Sequence, residues 1–325
     1  MSAARRYVER VAARNGGRAG VATIVAILLL GLGLRAAEAW DGRPAVYDAA
    51  AYATIAERLA DGDGFTLGRN ATQPASNYSP GLPLIVGGLY ALTGDAHERF
   101  ARLVLALVGA MAVLFAYLIG RRLAGPAAGL VGAAAVAIYP ALLEYQGMLM
   151  GEPLAATLLS GGVLAVLWAA DSGRGGRRAG PVAGQGPSSS QAAGEDPTPH
   201  ATHARWLVSG LLLGALVLVR PEYLGISVLL AMVVLAWERD EWRSGFANAA
   251  VLLLGVALIV APWTVRNAVV LDRFVPVSTG GGQVLFAGSY MPSGGNPERV
   301  GAEVLERHPR LTRELGDEYL SRGDL

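Results

Sequence analysis

The chain has 325 residues, of which 53% are hydrophobic and only 16% are charged, whereas a soluble domain carries about 25% charged residues. Its net charge of +1 gives no support for nucleic-acid binding, and its lack of cysteine excludes disulfides and thiolate metal sites. The apolar residues gather in runs of roughly 15–20, the length that a helix needs to cross about 30 Å of hydrocarbon. The composition therefore predicts an all-α membrane protein that crosses the bilayer several times.

The N-terminus is basic and precedes the first apolar run. Residues 1–20 carry five arginines, and residues 21–39 are apolar. A basic segment, a hydrophobic run and the small residues Ala37 and Ala39 are also typical of a secretory signal peptide. An uncleaved first span is favoured because more apolar runs follow, and residues 1–20 are then a cytoplasmic N-terminus.

Six more apolar runs follow a long segment of mixed character. This segment, residues 40–97, contains an amphipathic stretch at 47–61 and a Pro/Gly-punctuated apolar stretch at 80–93. The later runs lie at 100–119, 126–143, 153–170, 206–219, 223–237 and 246–264, so about seven transmembrane helices are expected. Residues 171–205 are rich in Gly, Pro, Ser and Gln and predict a disordered linker. The chain thus divides into four spans within 21–170, three within 206–264 and a polar tail at 265–325.

The positive-inside rule orients these spans. With a cytoplasmic N-terminus, seven spans place three arginine-containing connections in the cytoplasm, at Arg121–Arg122, Arg174–Arg178–Arg205 and Arg239–Arg243. The long loop 40–97 and the tail 265–325 then face outward. We therefore expect a multi-pass protein of the plasma membrane whose functional face is extracytoplasmic.

An acidic residue begins the amphipathic stretch. On a helix, Asp48, Tyr52 and Ile55 share one face, and such a helix is expected to lie on the outer membrane surface with its apolar side down. Asp48 is either a helix N-cap, where Asp is a preferred residue, or a catalytic group close to the end of the first span.

Two more candidates lie where the chain returns to the membrane. The segment 77–83, which includes Tyr78 and Pro80, predicts a turn that is either purely structural or a substrate contact. Glu152 begins an apolar run, where the helix dipole favours a carboxylate. Its alternative role is that of a second outward-facing acid near Asp48.

Two arginines adjoin spans on the outward side. Arg220 lies between two apolar runs and requires an anion, which is either Glu222 or a phosphate. Arg266 follows the last span, and its planar fork of donors suits a lipid phosphate; the alternative is an interfacial arginine beside Trp263. No acid pair is close enough in sequence to predict metal ligands, so no metal-binding residue is assigned and a divalent metal stays open.

In their order along the chain, these motifs resemble those of the C-type membrane glycosyltransferases, in particular the dolichyl-phosphate-mannose–protein mannosyltransferase-like bacterial proteins and their aminoarabinose-transferase relatives. The motifs are D-x-x-x-Y-x-x-I-A-x-x-L-x-x-G-x-G-F over 48–65, P-G-x-P-L over 80–84, paired arginines at 121–122, G-E-P-L over 151–154, R-P at 220–221 and P-W-T-x-R-N over 262–267. Together they extend over roughly residues 20–290.

The resemblance implies transfer of a sugar from a polyprenyl-phosphate donor to an extracytoplasmic protein, glycan or lipid acceptor, with inversion at the anomeric carbon. It assigns Asp48 as general base and Glu152 as the second acid. Substrate contacts are expected from Tyr52, Tyr78, Pro80, Arg220, Arg266 and Asn267. The lipid-linked sugar is the donor substrate, and no further cofactor is assigned.

The chain departs from the family pattern in two places. Ala49 and Ala50 follow Asp48 where mannosyltransferase-type members often carry a second acid. The chain also stops at Leu325 without further spans, which is typical of a C-terminally truncated product. The alternatives to an active transferase are a non-catalytic polyprenyl-phosphate-binding or transport protein, an inactive fragment, and a structural subunit of a larger complex.

Overall fold

The computed structural model describes residues 3–43, 48–67, 73–175, 199–238, 241–280 and 289. Within these residues the protein is helical apart from one short hairpin, as the composition predicted. The helices are α1 (Ala3–Asp41), α2 (Asp48–Asp61), α3 (Gly81–Thr93), α4 (Glu98–Ala124), α5 (Pro126–Ala137), α6 (Pro140–Gly147), α7 (Glu152–Gly175), α8 (Pro199–Val219), α9 (Tyr223–Trp237) and α10 (Trp242–Leu271). The strands are β1 (Thr66–Leu67) and β2 (Gln73–Pro74). Most of the predicted linker (176–198) and most of the predicted tail (281–288 and 290–325) lie outside the described residues.

Four helical segments are long and apolar enough to cross a membrane, namely Ala19–Asp41, Glu98–Ala124, Glu152–Asp171 and Trp242–Leu271. The pair formed by α5 and α6 is a fifth span if its two bent halves are counted together. Three more helices, α3, α8 and α9, are apolar but shorter; α9 has 15 residues, so it rises only about 22 Å. The protein is a multi-pass membrane protein, and its described part has four to five spans by length, so the expected number of seven is not confirmed.

The described part of segment 40–97, the expected outer loop, contains the expected amphipathic helix as α2, followed by a pair of short strands and the helix α3. Strand β1 pairs antiparallel with β2, and helix α2 lies against α3. The apolar face of α2 buries Ile55 and Ala56, and Gly87 of α3 lets the Ala56 carbonyl approach closely. We expected this apolar face to rest on the membrane surface. Instead it is covered by the protein itself, because α3 supplies the apolar partner.

The apolar run at 126–143 is not one straight helix. Helix α5 ends at Ala137, α6 begins at Pro140, and the two helices are bent by 42°. Proline lacks a backbone N–H and disfavours helical geometry at the preceding residue, and Tyr139 is accordingly extended with φ −66° and ψ 113°. The bend therefore has a local cause that is visible in the sequence.

Three helix ends meet around Val219, the last residue of α8. A Cβ atom at Gly81, the first residue of α3, would lie 2.6 Å from Val219 Cγ2. A Cβ atom at Gly151, which directly precedes α7, would lie 3.2 Å from Val219 Cγ1. Only glycine permits the approach at position 81. These contacts bring the starts of α3 and α7 to the end of α8, and each of these ends adjoins a candidate residue.

Candidate active site

Glu152 and Arg220 form an ion pair where α7 begins and α8 ends. Arg220 Nη2 donates a hydrogen bond to Glu152 Oε1, and the two side chains are 31% and 24% exposed for Arg220 and Glu152 respectively. Burial alone would lower the pKa of Arg220, but the carboxylate of Glu152 outweighs that effect and the pKa is raised. The anion that Arg220 requires is thus Glu152, which replaces the expected choice between Glu222 and a phosphate.

Tyr52 lies beside this ion pair, and the charges of both predicted acids, Asp48 and Glu152, act on it. Its ring meets that of Tyr78 edge to face, with the ring centroids 5.7 Å apart. Burial, and then the negative charges of Asp48 and Glu152, raise the pKa of Tyr52 to about 12, while the charge of Arg220 acts in the opposite direction. Two carboxylates and one guanidinium therefore surround a phenol that stays protonated at neutral pH.

Asp48 differs from Glu152 in its surroundings. It is the first residue of α2, its side chain is exposed, and among the described residues no ion pair engages it. One oxygen of Glu152 is already bound to Arg220, whereas the carboxylate of Asp48 is open to an approaching group. Of the two predicted acids, Asp48 is exposed and Glu152 is held by Arg220.

Pro80 shapes the turn into α3. It is buried at the N-cap position of that helix, and its carbonyl accepts a hydrogen bond of 2.9 Å from the Leu84 N–H. Its ring carries no polar atom, so its contribution is to direct the chain. The neighbouring Tyr78 supplies the ring that contacts Tyr52.

Arg266 occupies a different environment, between two aromatic rings. Its guanidinium carbon lies 4.8 Å from the ring centroid of Trp263 and 5.6 Å from that of Phe65. Nη1 donates to Asn267 Oδ1 at 3.0 Å, and Nη2 donates to the Phe65 carbonyl at 3.3 Å. In the part of the chain that the structure describes, no carboxylate pairs with it. Arg266 is therefore a half-buried cation whose charge is left for an external anion.

Asn267 holds Arg266 in place. Its side chain is 2% exposed, and its Nδ2 donates to the carbonyls of Val275 at 3.1 Å and Val277 at 2.9 Å. Its Oδ1 accepts a hydrogen bond from Arg266. In this structure the buried amide therefore supports the arginine, and its contact with a substrate stays a prediction.

The chain that follows α10 folds back along the helix and fixes the same region. Trp263 Nε1 donates to the Val277 carbonyl at 2.9 Å, and the Thr279 N–H donates to the Ser76 carbonyl at 2.8 Å. The Thr279 hydroxyl also reaches Asn77 Oδ1 at 2.6 Å. Residues 275–279 therefore tie the end of α10 to the turn that carries Tyr78.

A row of aromatic rings connects the two groups of candidate residues. Tyr52 contacts Tyr78, and Tyr78 packs on the cluster around Phe65. Phe65 meets Trp263 edge to face with centroids 4.8 Å apart, and Arg266 lies over both of these rings. Two aromatic pairs, Tyr52–Tyr78 and Phe65–Trp263, are thus joined through one buried cluster that contains Phe65 and on which Tyr78 and Trp263 both pack.

Phe65 and Trp263 are the residues that the sequence did not assign to the site. Both lie inside the quoted motifs, Phe65 at the end of G-x-G-F and Trp263 three residues before the arginine. An arginine with an aromatic residue on the same helix face was the available signal. Within the described ranges, no group of three or more His, Asp or Glu side chains could hold a metal ion.

Comparisons with known proteins concern the family and the fold of the chain. The family model described as dolichyl-phosphate-mannose-protein mannosyltransferase matches residues 76–186, a segment that includes Tyr78, Pro80 and Glu152. Among solved structures, the apo form of the oligosaccharyltransferase of Archaeoglobus fulgidus matches with a TM-score of 0.55 over 75% of this chain, at 18% sequence identity. This chain spans 29% of the length of that protein. Curated protein sequences gave no match. The family match and the shared fold support the resemblance to C-type membrane glycosyltransferases.

Proposed function

We propose that this chain, a C-type membrane glycosyltransferase by its motifs, its family match and its fold, transfers a sugar from a polyprenyl-phosphate donor to an extracytoplasmic acceptor. The observation that carries the proposal is that the site contains both an exposed carboxylate and an arginine that no described carboxylate neutralises. Asp48 is exposed and Arg266 has no carboxylate partner in the described residues, and the aromatic pairs Tyr52–Tyr78 and Phe65–Trp263, packed on one buried cluster, lie between them. A base at one end and an anion site at the other suit displacement of a phosphate from a sugar.

The reaction follows from the charges. The phosphate of the donor binds at Arg266, whose planar guanidinium matches phosphate oxygens through parallel N–H donors. The acceptor's hydroxyl attacks the anomeric carbon from the opposite side, and Asp48 takes its proton. The bond between the anomeric carbon and the phosphate oxygen breaks with its electrons, so the polyprenyl phosphate leaves as an anion facing Arg266 and the configuration inverts.

The aromatic pair and the ion pair have supporting roles in this proposal. Tyr52 stays protonated because its pKa is about 12, so its hydroxyl can donate a hydrogen bond to the sugar at any physiological pH. Tyr78 meets the ring of Tyr52 edge to face and so supports its orientation. Glu152 keeps one oxygen on Arg220, and its other oxygen, which is buried without a partner among the described residues, is an acceptor for a sugar hydroxyl.

One observation favours a second candidate, a protein that binds polyprenyl phosphate without transferring sugar. Glu152 is already occupied by Arg220, so a single unpaired acid remains at the site, while Arg266 keeps its capacity for a phosphate. The two candidates agree on the anion site and differ on the chemistry at Asp48.

The deciding experiment measures release of polyprenyl phosphate from a panel of polyprenyl-phosphate sugars by the purified protein in lipid nanodiscs. Asp48→Asn should lower the release rate by roughly 10²- to 10⁴-fold, the usual contribution of a general base. Asp61→Asn is the matched control, because Asp61 is an exposed acid at the other end of the same helix. Unchanged release by Asp48→Asn would refute the base. Donor binding without release by the wild type would favour the binding protein.

A further inference from the structure

Arg35 is a charged residue inside the apolar helix α1. It lies within the candidate span Ala19–Asp41 and is 1% exposed. A buried charge in a membrane span is costly and indicates a specific task. Its guanidinium donates from Nη2 to the Val136 carbonyl at 2.9 Å and from Nη1 to the Ala137 carbonyl at 3.2 Å. Nη1 also lies 3.1 Å from the carbonyl of Gly31, one turn back on the same helix.

The acceptors of Arg35 are the carbonyls that the break after α5 leaves open. In a continuous helix the carbonyl of Val136 would accept from the N–H of residue 140, four positions on. Residue 140 is proline and has no N–H. Ala137 is the last residue of α5, so its carbonyl also points out of the helix end. The partial negative charge at a helix C-terminus suits a guanidinium.

A second buried side chain fixes α6 beside Arg35. Gln146 is 2% exposed, and its Nε2 donates to the Arg102 carbonyl at 3.3 Å. A Cβ atom at Gly109 would lie 2.9 Å from Gln146 Oε1 and 3.6 Å from Arg35 Nε. Glycine at this position of α4 therefore makes room for both side chains, and they adjoin each other between α1, α4 and α6.

The end of α6 leads directly to the candidate site. Three residues after Gln146 the chain passes through Leu149, which is 1% exposed and has φ 57°, a region that leucine rarely adopts. Glu152 follows three residues later as the first residue of α7. A displacement of α6 would therefore move the turn that places Glu152 against Arg220.

We infer that Arg35 is a positioning residue, which holds the broken span by supplying the donors that Pro140 cannot, and so fixes α6 and the turn before Glu152. Its consequence for turnover rests on the proposed function, whereas its effect on the position of α6 does not. Arg35 and Pro140 form a matched pair in this inference. If residue 140 regains an N–H, the Val136 carbonyl no longer depends on Arg35.

The test is a double-mutant cycle with Arg35→Met, Pro140→Ala and the two combined. Arg35→Met should lower the midpoint of thermal unfolding and reduce kcat/KM for the donor roughly 10-fold, because it misplaces Glu152, whose free oxygen is proposed to accept from the donor's sugar. Adding Pro140→Ala should recover part of both losses. Arg35→Lys keeps the charge but has fewer N–H donors, so its unfolding midpoint and its turnover should lie between those of the wild type and Arg35→Met.

A structural readout separates this inference from the proposed function. The chain has no cysteine, so a pair of spin labels can be introduced, one at Glu144→Cys on α6 and one at Leu92→Cys on α3, both exposed. Every variant compared carries both labels, so the loss of the Arg43–Glu144 ion pair is common to all of them. The distance distribution between them should broaden in Arg35→Met and narrow again with Pro140→Ala, whether or not any donor is turned over. Arg99→Met, which removes an exposed arginine from α4, should not broaden it.

Three results would overturn the inference, two of them in variants that fold. In the first, Arg35→Met lowers the unfolding midpoint and broadens the distance distribution by the same amounts whether or not Pro140→Ala is present. In the second, the distance distribution in Arg35→Met equals that of Arg99→Met. If Arg35→Met alone does not fold, recovery of folded protein by the added Pro140→Ala supports the inference, and failure of the double variant to fold contradicts it. A protein that passes the distance test but releases no polyprenyl phosphate would refute the proposed function alone.

Discussion

The candidate site contains two arginines, Arg220 directly after α8 and Arg266 in the last part of α10. One is neutralised by a carboxylate, and the other has no carboxylate partner in the described residues. Arg220 is paired with Glu152, so the protein itself neutralises it. Arg266 lies against the rings of Phe65 and Trp263, which orient the cation without neutralising it. Position beside a span suggested a phosphate ligand in both cases. The comparison shows that the partner of an arginine, rather than its depth, decides whether it is available to a ligand.

The number of N–H groups that are already hydrogen-bonded also distinguishes the two arginines. An arginine has five N–H donors, and the described contacts of Arg266 use one for Asn267 and one for the Phe65 carbonyl. The remaining donors stay available for phosphate oxygens. At Arg220 a phosphate would first have to displace a carboxylate from a charge-assisted hydrogen bond, and the loss of that bond offsets part of what the phosphate would gain.

The sharpest test of this difference is the loss of donor binding at Arg266. Arg266→Gln should reduce kcat/KM for the donor by roughly 10²-fold, because it removes at least two charge-assisted hydrogen bonds at about 1.5 kcal/mol each. Arg266→Lys keeps the charge but loses the planar fork and its stacking, so an intermediate value is expected. Steady-state kinetics at several donor concentrations measure the effect.

The control for Arg266 is Arg273→Gln, which removes an exposed arginine just beyond the end of α10. It should leave kcat/KM within twofold of the wild type. Equal losses from both substitutions would mean that a diffuse positive surface attracts the donor, and the special environment of Arg266 would then have no consequence.

The second test concerns the ion pair and is expected to act mainly on stability. Arg220→Gln leaves the carboxylate of Glu152 half-buried without its cation and should destabilise the protein by about 1–3 kcal/mol, the lower part of the range for buried pairs because both groups are partly solvated. Glu152→Gln combined with Arg220→Gln should regain much of this loss, since two neutral amides can share a hydrogen bond. Thermal unfolding of the four proteins gives the coupling energy.

Donor KM in the same four proteins tests whether Arg220 and Arg266 really differ in their contact with the donor. If Arg220 serves Glu152 alone, donor KM should not change when Arg220→Gln is added to Glu152→Gln. A clear rise in donor KM in that background would show that Arg220 also contacts the phosphate, and the two arginines would then act together.

Much of the fold could be predicted because a bilayer imposes a length and a polarity on each span. Each apolar run from residue 100 onward coincides with a helix. The pattern failed where an apolar run does not specify its length or its neighbours. The run 126–143 divides at Pro140, and α9 is too short to span the hydrocarbon unaided. The packing of α2 on α3 depends on tertiary contact, which periodicity cannot report.

Sequence motifs selected the candidate residues but not their pairings. Asp48 and Glu152 are the first residues of α2 and α7, whereas Arg266 lies inside α10, five residues before its end at Leu271; their roles stay predictions. The partner of Arg220 was sought two residues away at Glu222, but it lies on another helix. Contacts across 68 positions of sequence arise from the meeting of helix ends, and no local pattern encodes them.

The smallest expected effect concerns Tyr52, which both acids and Arg220 influence. Because burial and the charges of Asp48 and Glu152 raise its pKa to about 12, Tyr52 stays neutral from pH 6 to pH 10, and the pH profile of kcat/KM should contain no tyrosine ionisation in that range. Tyr52→Phe should lower kcat/KM by about 3- to 10-fold at every pH in the range, the value of one neutral hydrogen bond. Tyr139→Phe, which alters an exposed tyrosine at the bend between α5 and α6, should have no effect.

Stability at high pH provides an independent check on the same residue. The unfolded chain loses the Tyr52 proton near pH 10, whereas the folded protein keeps it until about pH 12. Folding stability is therefore complete below pH 10 and falls as the pH rises towards 12, and Tyr52→Phe should remove the part of that fall that belongs to this phenol. A wild-type alkaline limb near pH 10 in kcat/KM that disappears in Tyr52→Phe would show an ordinary phenol. Neither burial nor the two carboxylates would then raise the pKa of Tyr52, and its place beside Asp48 and Glu152 would have to be abandoned.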